Sequence, residues 1–403
     1  MKKSCKLLIL MLLAVLAGGC VYDYEPNDSE IQGLDRPLVV IDGDIIIGGM
    51  TNVAVSLTTS LLDSCEVEPL GATVWVESQT GEISYGTEVD GAANKFEINT
   101  TDLDISGKYR LVVSLPDRGE YASAFKSVLV SPPVDKITYS IPADRSYARV
   151  EVTTHSENNG EKLYCKWKYS ENWESNALYP PELDYDVKFE TMYELPKEEI
   201  QARSICFSEA ESFGTYIGNT EKLSQNLIDK FVINDIANTD TRLTGLYAIT
   251  VRQTALDKEA YIYWENVRKN SSETGGLFGP QPSEVKGNID CITYPQETVI
   301  GYVNVTTQTT LRTFINWGEA GIFHNSYERE LVQNKPPVDE GKEDPGNVYW
   351  NAYYSKGYRP VMYPDEKTRD KAYWALQTCT DCRVYSNSTR PDFWPRYFNK
   401  GVL

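Results

Sequence analysis

Imidazole chemistry in this 403-residue chain rests on two residues, His155 and His324. His155 stands in Thr-Thr-His-Ser-Glu-Asn-Asn-Gly, the end of a strand pattern, and His324 in a polar junction. Neither has Cys, His or carboxylate neighbours at metal-ligand or catalytic spacing, so both read as surface residues. The chain has no H-E-x-x-H helix, no G-x-S-x-G elbow and no glycine-rich phosphate loop. Carboxylate pairs such as Glu209 with Glu211, or Asp184 with Asp186, could serve glycoside hydrolysis. That reaction is defined by separation in space, however, and 58 acidic residues guarantee chance pairs. Asp102-Leu-Asp-Ile-Ser-Gly107 imitates the start of a calcium loop, but its twelfth position is Val113 where a bidentate Glu is needed, and it reads as a turn into a strand. No metal site and no cofactor is expected.

Cysteine is the more informative type. Cys5 lies in the leader and Cys20 at its end, which leaves six of the eight: Cys65, Cys165, Cys206, Cys291, Cys379 and Cys382. An even set outside the cytoplasm suggests disulfides, with the pairing open. Cys379-Thr-Asp-Cys382 lacks the second ligand pair of a zinc site and the following helix of a redox site, so it reads as structural disulfide cysteine. Trp173, Tyr179, Tyr185 and Tyr193, in an acidic and aromatic stretch from Asn172 to Ile200, could form a stacking surface for sugar or peptide, or could pack on their own domain. A stretch that long without regular pattern is expected to be functional or poorly ordered.

The elements that must carry these residues begin with an address. Lys2, Lys3 and Lys6 precede the apolar run Leu7 to Leu16, and Ala17-Gly18-Gly19-Cys20 follows. The run is too short for a membrane span and reads as a signal-peptide core, with Cys20 as the acylated N-terminus of a bacterial lipoprotein held in the bilayer by its lipid. Loss of three signal lysines from 39 basic residues leaves 36 against 58 acidic, a net charge of about −22, so nucleic acid is not an expected partner. With 27 tyrosines, frequent Gly and Pro, and few long helical patterns, the chain reads as mainly β.

Residues 21–35 are a polar tether. Residues 36–133 carry six or seven short strand patterns, from Leu38–Ile47 to Ala124–Val130, and predict an immunoglobulin-like or transthyretin-like sandwich. Pro132-Pro133 closes it. Residues 134–320 predict a larger β-rich domain with strands near Ala148–Thr154, Leu163–Tyr169, Tyr247–Gln253, Val299–Thr306 and Arg312–Ile315. It holds one helix over 255–270, capped by Thr254, with Leu256, Ala260, Tyr263, Trp264 and Val267 on one face. Residues 321–403 form a C-terminal section supported by disulfide.

Several of these runs are shared with a known family. Trp167-Lys-Tyr-Ser-Glu-Asn-Trp173, the Tyr247–Gln253 strand, Glu259-Ala-Tyr-Ile-Tyr-Trp264, Leu277-Phe278 with Gln281-Pro282, Gly287-Asn-Ile289, Gly301-Tyr302, and Cys379-Thr-Asp-Cys382 with Pro391-Asp-Phe-Trp394 occur in order. Together they resemble the domain of unknown function 4249 family, outer-membrane lipoproteins of Bacteroidota. The resemblance implies an N-terminal sandwich, an extracytoplasmic lipoprotein and frequent encoding beside TonB-dependent outer-membrane transporters; it brings no catalytic residue. Asp23, Glu25 and Asp28, just after Cys20, are similar to sequences that accompany export to the outer face. The reading is therefore a non-catalytic accessory or substrate-capturing partner of such a transporter, its ligand unknown. The alternatives are a surface hydrolase of glycans or peptides with a carboxylate pair, and an adhesion or envelope-structural lipoprotein.

Overall fold

The computed structural model describes residues 37–59, 68–157, 161–189, 191–273, 286–322, 332–334, 353–364 and 372–395. The leader with Cys20, the tether, Cys65, Leu277-Phe278, Gln281-Pro282 and His324 lie outside them.

Period-two burial builds the first sandwich. In Met50–Leu57, Lys95–Asn99 and Lys108–Leu115 alternate residues are buried, and the inward set, including Val53, Val55, Phe96, Ile98, Leu111 and Val113, fills one core. The strand path runs Gly119–Ser123, Lys108–Leu115, Thr73–Ser78, Ile83–Glu88, Lys95–Asn99, Met50–Leu57, Val39–Asp42, all antiparallel. Ile83–Glu88 pairs with Thr73–Ser78 through Ile83 to Tyr85 and with Lys95–Asn99 through Gly86 to Glu88, so it turns the corner between the two layers. Gly86 sits at that corner, where a Cβ would come 3.0 Å from Ile98 and 3.1 Å from the Val74 carbonyl.

The chain does not leave this sandwich at Pro132-Pro133 for good. Ile289–Cys291 pairs with Gly119–Ser123 at one end of the path, and Val299–Ile300 pairs parallel with Val39–Asp42 at the other. Val305–Thr306 adds a parallel pair with Ile45–Ile46, and Ile289, Cys291, Val299, Val303 and Val305 belong to the first core. The run expected as one strand over Val299–Thr306 is thus two short strands on the first sandwich, broken at Gly301-Tyr302. A Cβ on Gly287 would overlap the Gly301 carbonyl, and one on Gly301 would overlap that of Ile41. The Asn288 side chain bonds both backbone groups of Val303, at 2.8 Å each, in place of a strand.

The second sandwich stacks Val134–Ser140, Tyr147–His155 and Leu227–Ala237 on a five-stranded antiparallel sheet. In the larger sheet Ile205–Glu211 and Tyr216–Asn219 flank Tyr164–Asn176, followed by Leu246–Ala255 and Gln308–Asn316. Trp167, Tyr169, Tyr247, Ile249, Val251 and Ile315 point into the core between the sheets. The helix occupies Lys258–Glu273 and buries Ala260, Tyr261 and Tyr263 beside Leu256, Tyr164, Ile217 and Tyr302, while Trp264 and Val267 are half-buried at its edge. Its cap is Asp257, whose Oδ1 accepts from the Ala260 amide at 2.7 Å; Thr254 is still in the preceding strand, which displaces it from the expected capping role.

The Asn172–Ile200 stretch is regular, contrary to expectation. The strand Tyr164–Asn176 runs through its start, then come the hairpin Leu183–Asp186 with Thr191–Glu194 and the helix Lys197–Ser204. The hairpin shares a small core with the C-terminal section, where Leu183 and Tyr185 pack with Tyr353, Ala372 and Trp374. The sheet Val332–Asn334, Ala372–Leu376, Tyr358–Met362 completes that module. Among the described residues no helix is long and apolar enough to cross a membrane.

Candidate functional site

The outer face of the five-stranded sheet is a walled groove. Alternation in Cys165-Lys-Trp-Lys-Tyr-Ser-Glu-Asn172 turns Trp167 and Tyr169 inward and leaves Lys166, Lys168, Ser170 and Asn172 on the other face. Register aligns them in rows with the neighbouring strand: Lys166 with Thr254, Lys168 with Arg252, Ser170 with Thr250, Asn172 with Ala248. On the far side Glu211 lies opposite Ser170 and Glu209 opposite Asn172. At one end the floor meets the first sandwich in a cleft of about 560 Å³, whose lining includes Gly43, Asp44, Gly48, Gly49, Lys166 and Thr254. At the other it widens to about 1030 Å³ under the C-terminal run Ser386–Phe393. Glu211 lines both cavities, which lie toward the two ends of the same sheet face.

The narrow end holds a buried ion pair. Lys166 bonds Asp44, with side chains only 7 % and 8 % exposed, and its ammonium sits 4.4 Å above the Trp264 ring. Asp44 also accepts from the Asn304 amide at 3.2 Å. Lys126 makes a second strut: it bonds Asp257 of the helix cap and donates to the Tyr302 hydroxyl at 2.8 Å. Thr254, 7 % exposed, lines the cleft with its hydroxyl unpartnered. Along the floor Arg252 pairs with Glu211 at 2.5 Å.

The far wall is held on by side chains from distant sequence. The Asn387 amide group bonds both backbone groups of Glu209, at 2.8 and 3.0 Å, and the Ser388 amide donates to the Phe207 carbonyl at 3.2 Å. Trp394 donates to buried Glu174 at 2.6 Å and packs on Phe207 and Ala248. Cys206 and Cys382 form a disulfide across 176 residues. Removing it through Cys206→Ser with Cys382→Ser is expected to cost about 2–5 kcal/mol, read as a lower urea midpoint, and to speed proteolysis of the 386–395 run. An unchanged midpoint would show that the wall is held by its hydrogen bonds alone.

Cys379 is not in that bond. It lies in the short helical turn Gln377–Thr380, and extended Asp381 (φ −138°, ψ 102°) directs Cys382 to Cys206 instead of back on its C-x-x-C neighbour. Cys165 and Cys291 are buried thiols in the two sandwich cores, and burial pushes the Cys165 thiol pKa up. As disulfide candidates Cys165, Cys291 and Cys379 are therefore corrected to thiols.

The four aromatics singled out as a ligand surface are not brought together. Trp173 packs against the second sandwich core, Tyr185 is buried with Trp374 in the C-terminal module, Tyr179 donates its amide to the Cys379 carbonyl, and Tyr193 is exposed on the hairpin. Regular pairing of the stretch around them disperses the rings.

The carboxylates divide by environment. Glu171, beside the wide cleft, is buried; desolvation raises its pKa and Arg242 pulls it back. It accepts from Tyr247 at 2.5 Å, Asn234 at 2.7 Å and Arg242 at 2.9 and 3.0 Å. Glu209 and Glu211 are exposed, so the cleft holds one buried, fully engaged acid where an acid–base pair needs two with separated environments. Asp184 bonds Arg203 at 2.8 Å, and Asp186 accepts two turn amides. The calcium-like run is a turn in which Asp104 accepts from the Ser106 amide and hydroxyl, and those bonds lower its pKa. Among the described residues no group of three or more His, Cys, Asp or Glu could hold a metal ion.

His155 is exposed and bonded to Asp135 at 2.8 Å, which raises its pKa. A raised folded-state value means that this pair stabilises the protein below the ordinary histidine pKa of about 6.5 and ceases to do so as pH rises through the folded value. Asp135→Asn is expected to lower the His155 titration midpoint in NMR; an unmoved midpoint would show the pair to be absent in solution.

A family model described as a domain of unknown function (DUF4249) matches residues 22–312. The match takes in both sandwiches and the groove floor as far as Arg312; the Ser386–Phe393 wall lies beyond it. No curated protein matches the chain.

Proposed function

This chain belongs to the domain of unknown function 4249 family, and from that premise we propose that it is a non-catalytic lipoprotein of the outer membrane that captures an extended polar ligand in the sheet-floored groove and passes it to a TonB-dependent transporter. The observation that carries this reading is the groove itself: a polar sheet face walled at one end by the first sandwich and at the other by a C-terminal run that a disulfide fastens to the edge strand. A sheet face left merely to solvent needs no walls. The buried acids that line it, Glu171 and Asp44, are engaged by Arg242 and Lys166, which favours capture over hydrolysis.

Support for the location comes from the lysine-flanked apolar leader ending at Cys20, and from the disulfide, a bond at home in an oxidising compartment. Acyl chains on Cys20 would each contribute about 0.8 kcal/mol per buried methylene. Affinity purification from gently solubilised membranes is expected to recover a TonB-dependent transporter, and Cys20→Ala to release the protein from the membrane fraction. Purification without a transporter, together with unaltered nutrient uptake in a deletion strain, would overturn the proposal.

A further inference from the structure

The charges on the sheet face are matched in pairs. Lys166 bonds Asp44, Arg252 bonds Glu211, Arg242 bonds Glu171, and Lys168 approaches Asp42 at 3.9 Å. Of the residues that line or back the wide cavity, Glu209 and Arg312 are left without an ion pair among the described residues, and they are opposite in sign. Arg312 stacks on the Phe393 ring, 3.5 Å from its centroid, and donates to the Thr250 hydroxyl at 2.8 Å. A strongly anionic or cationic ligand therefore meets no matching excess of charge there. A peptide is not offered a backbone either. In Ile205–Glu211, the outer strand beside the cavity, Asn387 bonds both backbone groups of Glu209 and the Ser388 amide bonds the Phe207 carbonyl, so these edge groups are taken and a further strand cannot add to them.

What the wide cavity does offer is hydrogen bonding beside one apolar ring. Its lining includes Ser170, Asn172, Glu209, Ser388, Thr389 and Phe393. Asn172 is more than nine-tenths buried, and its amide makes one long bond, from Nδ2 to Glu209 Oε2 at 3.4 Å, although an amide can make several. The Ser388 hydroxyl has no partner. An amide donor set beside a carboxylate acceptor suits a ligand hydroxyl, which accepts and donates from one atom, where a carboxylate only accepts and an ammonium only donates. Phe393 supplies apolar surface for the carbon face of a sugar ring. The cavity volume of about 1030 Å³ stands at the upper end of the ~300–1,000 Å³ usual for small-molecule sites, which leaves room for an oligosaccharide.

Resting on the capture reading, we infer that the wide cavity binds a neutral oligosaccharide, with hydroxyls on Asn172 and Glu209 and a sugar ring against Phe393. The full-length lipoprotein in a sugar-free detergent can be titrated calorimetrically with maltotriose, cellotriose, mannotriose, xylotriose and N-acetylchitotriose, and with sialyllactose and the peptide Ala-Ser-Ala-Ser-Ala-Ser as controls. At least one neutral trisaccharide is expected to bind, with an affinity that stays level from ~0.1 to ~1 M NaCl, because a neutral ligand has no charge to screen. Glu209→Gln should weaken that binding about ten-fold by removing a charged acceptor, and Asn172→Ala about three-fold. The Glu209 side chain is exposed and its backbone carries the bonds to Asn387, so Gln keeps the wall in place even where Asn172→Ala disturbs the sheet. Thr389→Trp, at the exposed rim, should reduce binding, and Lys168→Gln, in the other cavity, should leave it unchanged. No binding of any neutral sugar, preference for sialyllactose or the peptide, or sugar binding indifferent to both Glu209→Gln and Asn172→Ala would overturn the assignment. Capture itself survives those outcomes, since it is decided separately by recovery of a transporter and by uptake in the deletion strain.

Discussion

Asp44→Ala is expected to destabilise the protein by about 3–5 kcal/mol, the usual cost of leaving one partner of a buried ion pair alone. Lys166 is 7 % exposed and its ammonium has two partners, the Asp44 carboxylate and the Trp264 ring at 4.4 Å. A cation–π contact contributes about 0.5–2 kcal/mol, which cannot offset the several kcal/mol needed to keep an ammonium out of water. Urea unfolding of the variant should show the loss as a lower midpoint. Asp44→Ala with Lys166→Met should recover most of it, because Met fills a similar volume without a charge to desolvate. A single variant within about 1 kcal/mol of the parent would mean that water reaches Lys166. The pair lies where the two sandwiches meet and where the groove is narrowest, so the same variant is expected to loosen the wall at Gly43–Asn52.

How far the sequence could foresee this depends on how local each signal is. Period-two alternation is written in consecutive residues; it points to strands over Val53–Thr59, Tyr109–Leu115 and Tyr247–Gln253, and the chain forms them as Met50–Leu57, Lys108–Leu115 and Leu246–Ala255. The helix at Lys258–Glu273 was legible for the same reason, although the competition between Thr254 and Asp257 for the cap was decided by the strand pairing of Thr254 with Lys166. Ile289–Cys291 and Val299–Ile300 were not legible as parts of the first sandwich. Strands of two or three residues carry no periodicity, and their partners Tyr121 and Val39 lie more than 150 residues away. The 172–200 stretch failed similarly: Tyr185 finds its packing against Trp374, at the other end of the chain.

The candidate groove was half legible. Lys166, Lys168, Ser170 and Asn172 announce a polar face by their spacing, but a polar face reads as solvent until its walls are known. Those walls are Gly43–Asn52 and Ser386–Phe393, brought to one sheet from opposite ends of the chain. The cysteines show the same limit. Cys382 chooses Cys206 over its near neighbour Cys379 because the backbone at Asp381 is extended, a fact of tertiary placement that the C-x-x-C spacing does not carry.

Trp167→Ala should cost about 3–5 kcal/mol, as aromatic truncations in cores do. Trp167 is fully buried, stacks on Phe231 with ring centroids 4.5 Å apart, and donates its indole N–H to Gln253 at 2.7 Å. Gln253 in turn donates to the Pro132 carbonyl at 2.7 Å, so the truncation also orphans an acceptor on the residue that ties the entry of the second sandwich to its central sheet. Pattern alone points instead to Trp264, one of the apolar residues on the helix face. That residue is half-buried, its indole nitrogen is unpartnered, and its ring serves as a lid on Lys166. Trp264→Ala is accordingly expected to cost about 1–2 kcal/mol, the size of a cation–π contact with partial burial. Paired urea titrations decide between the two assignments. If Trp264→Ala proves the more damaging, the helix edge is the true centre of packing, and the Trp167 stack contributes less than its burial implies.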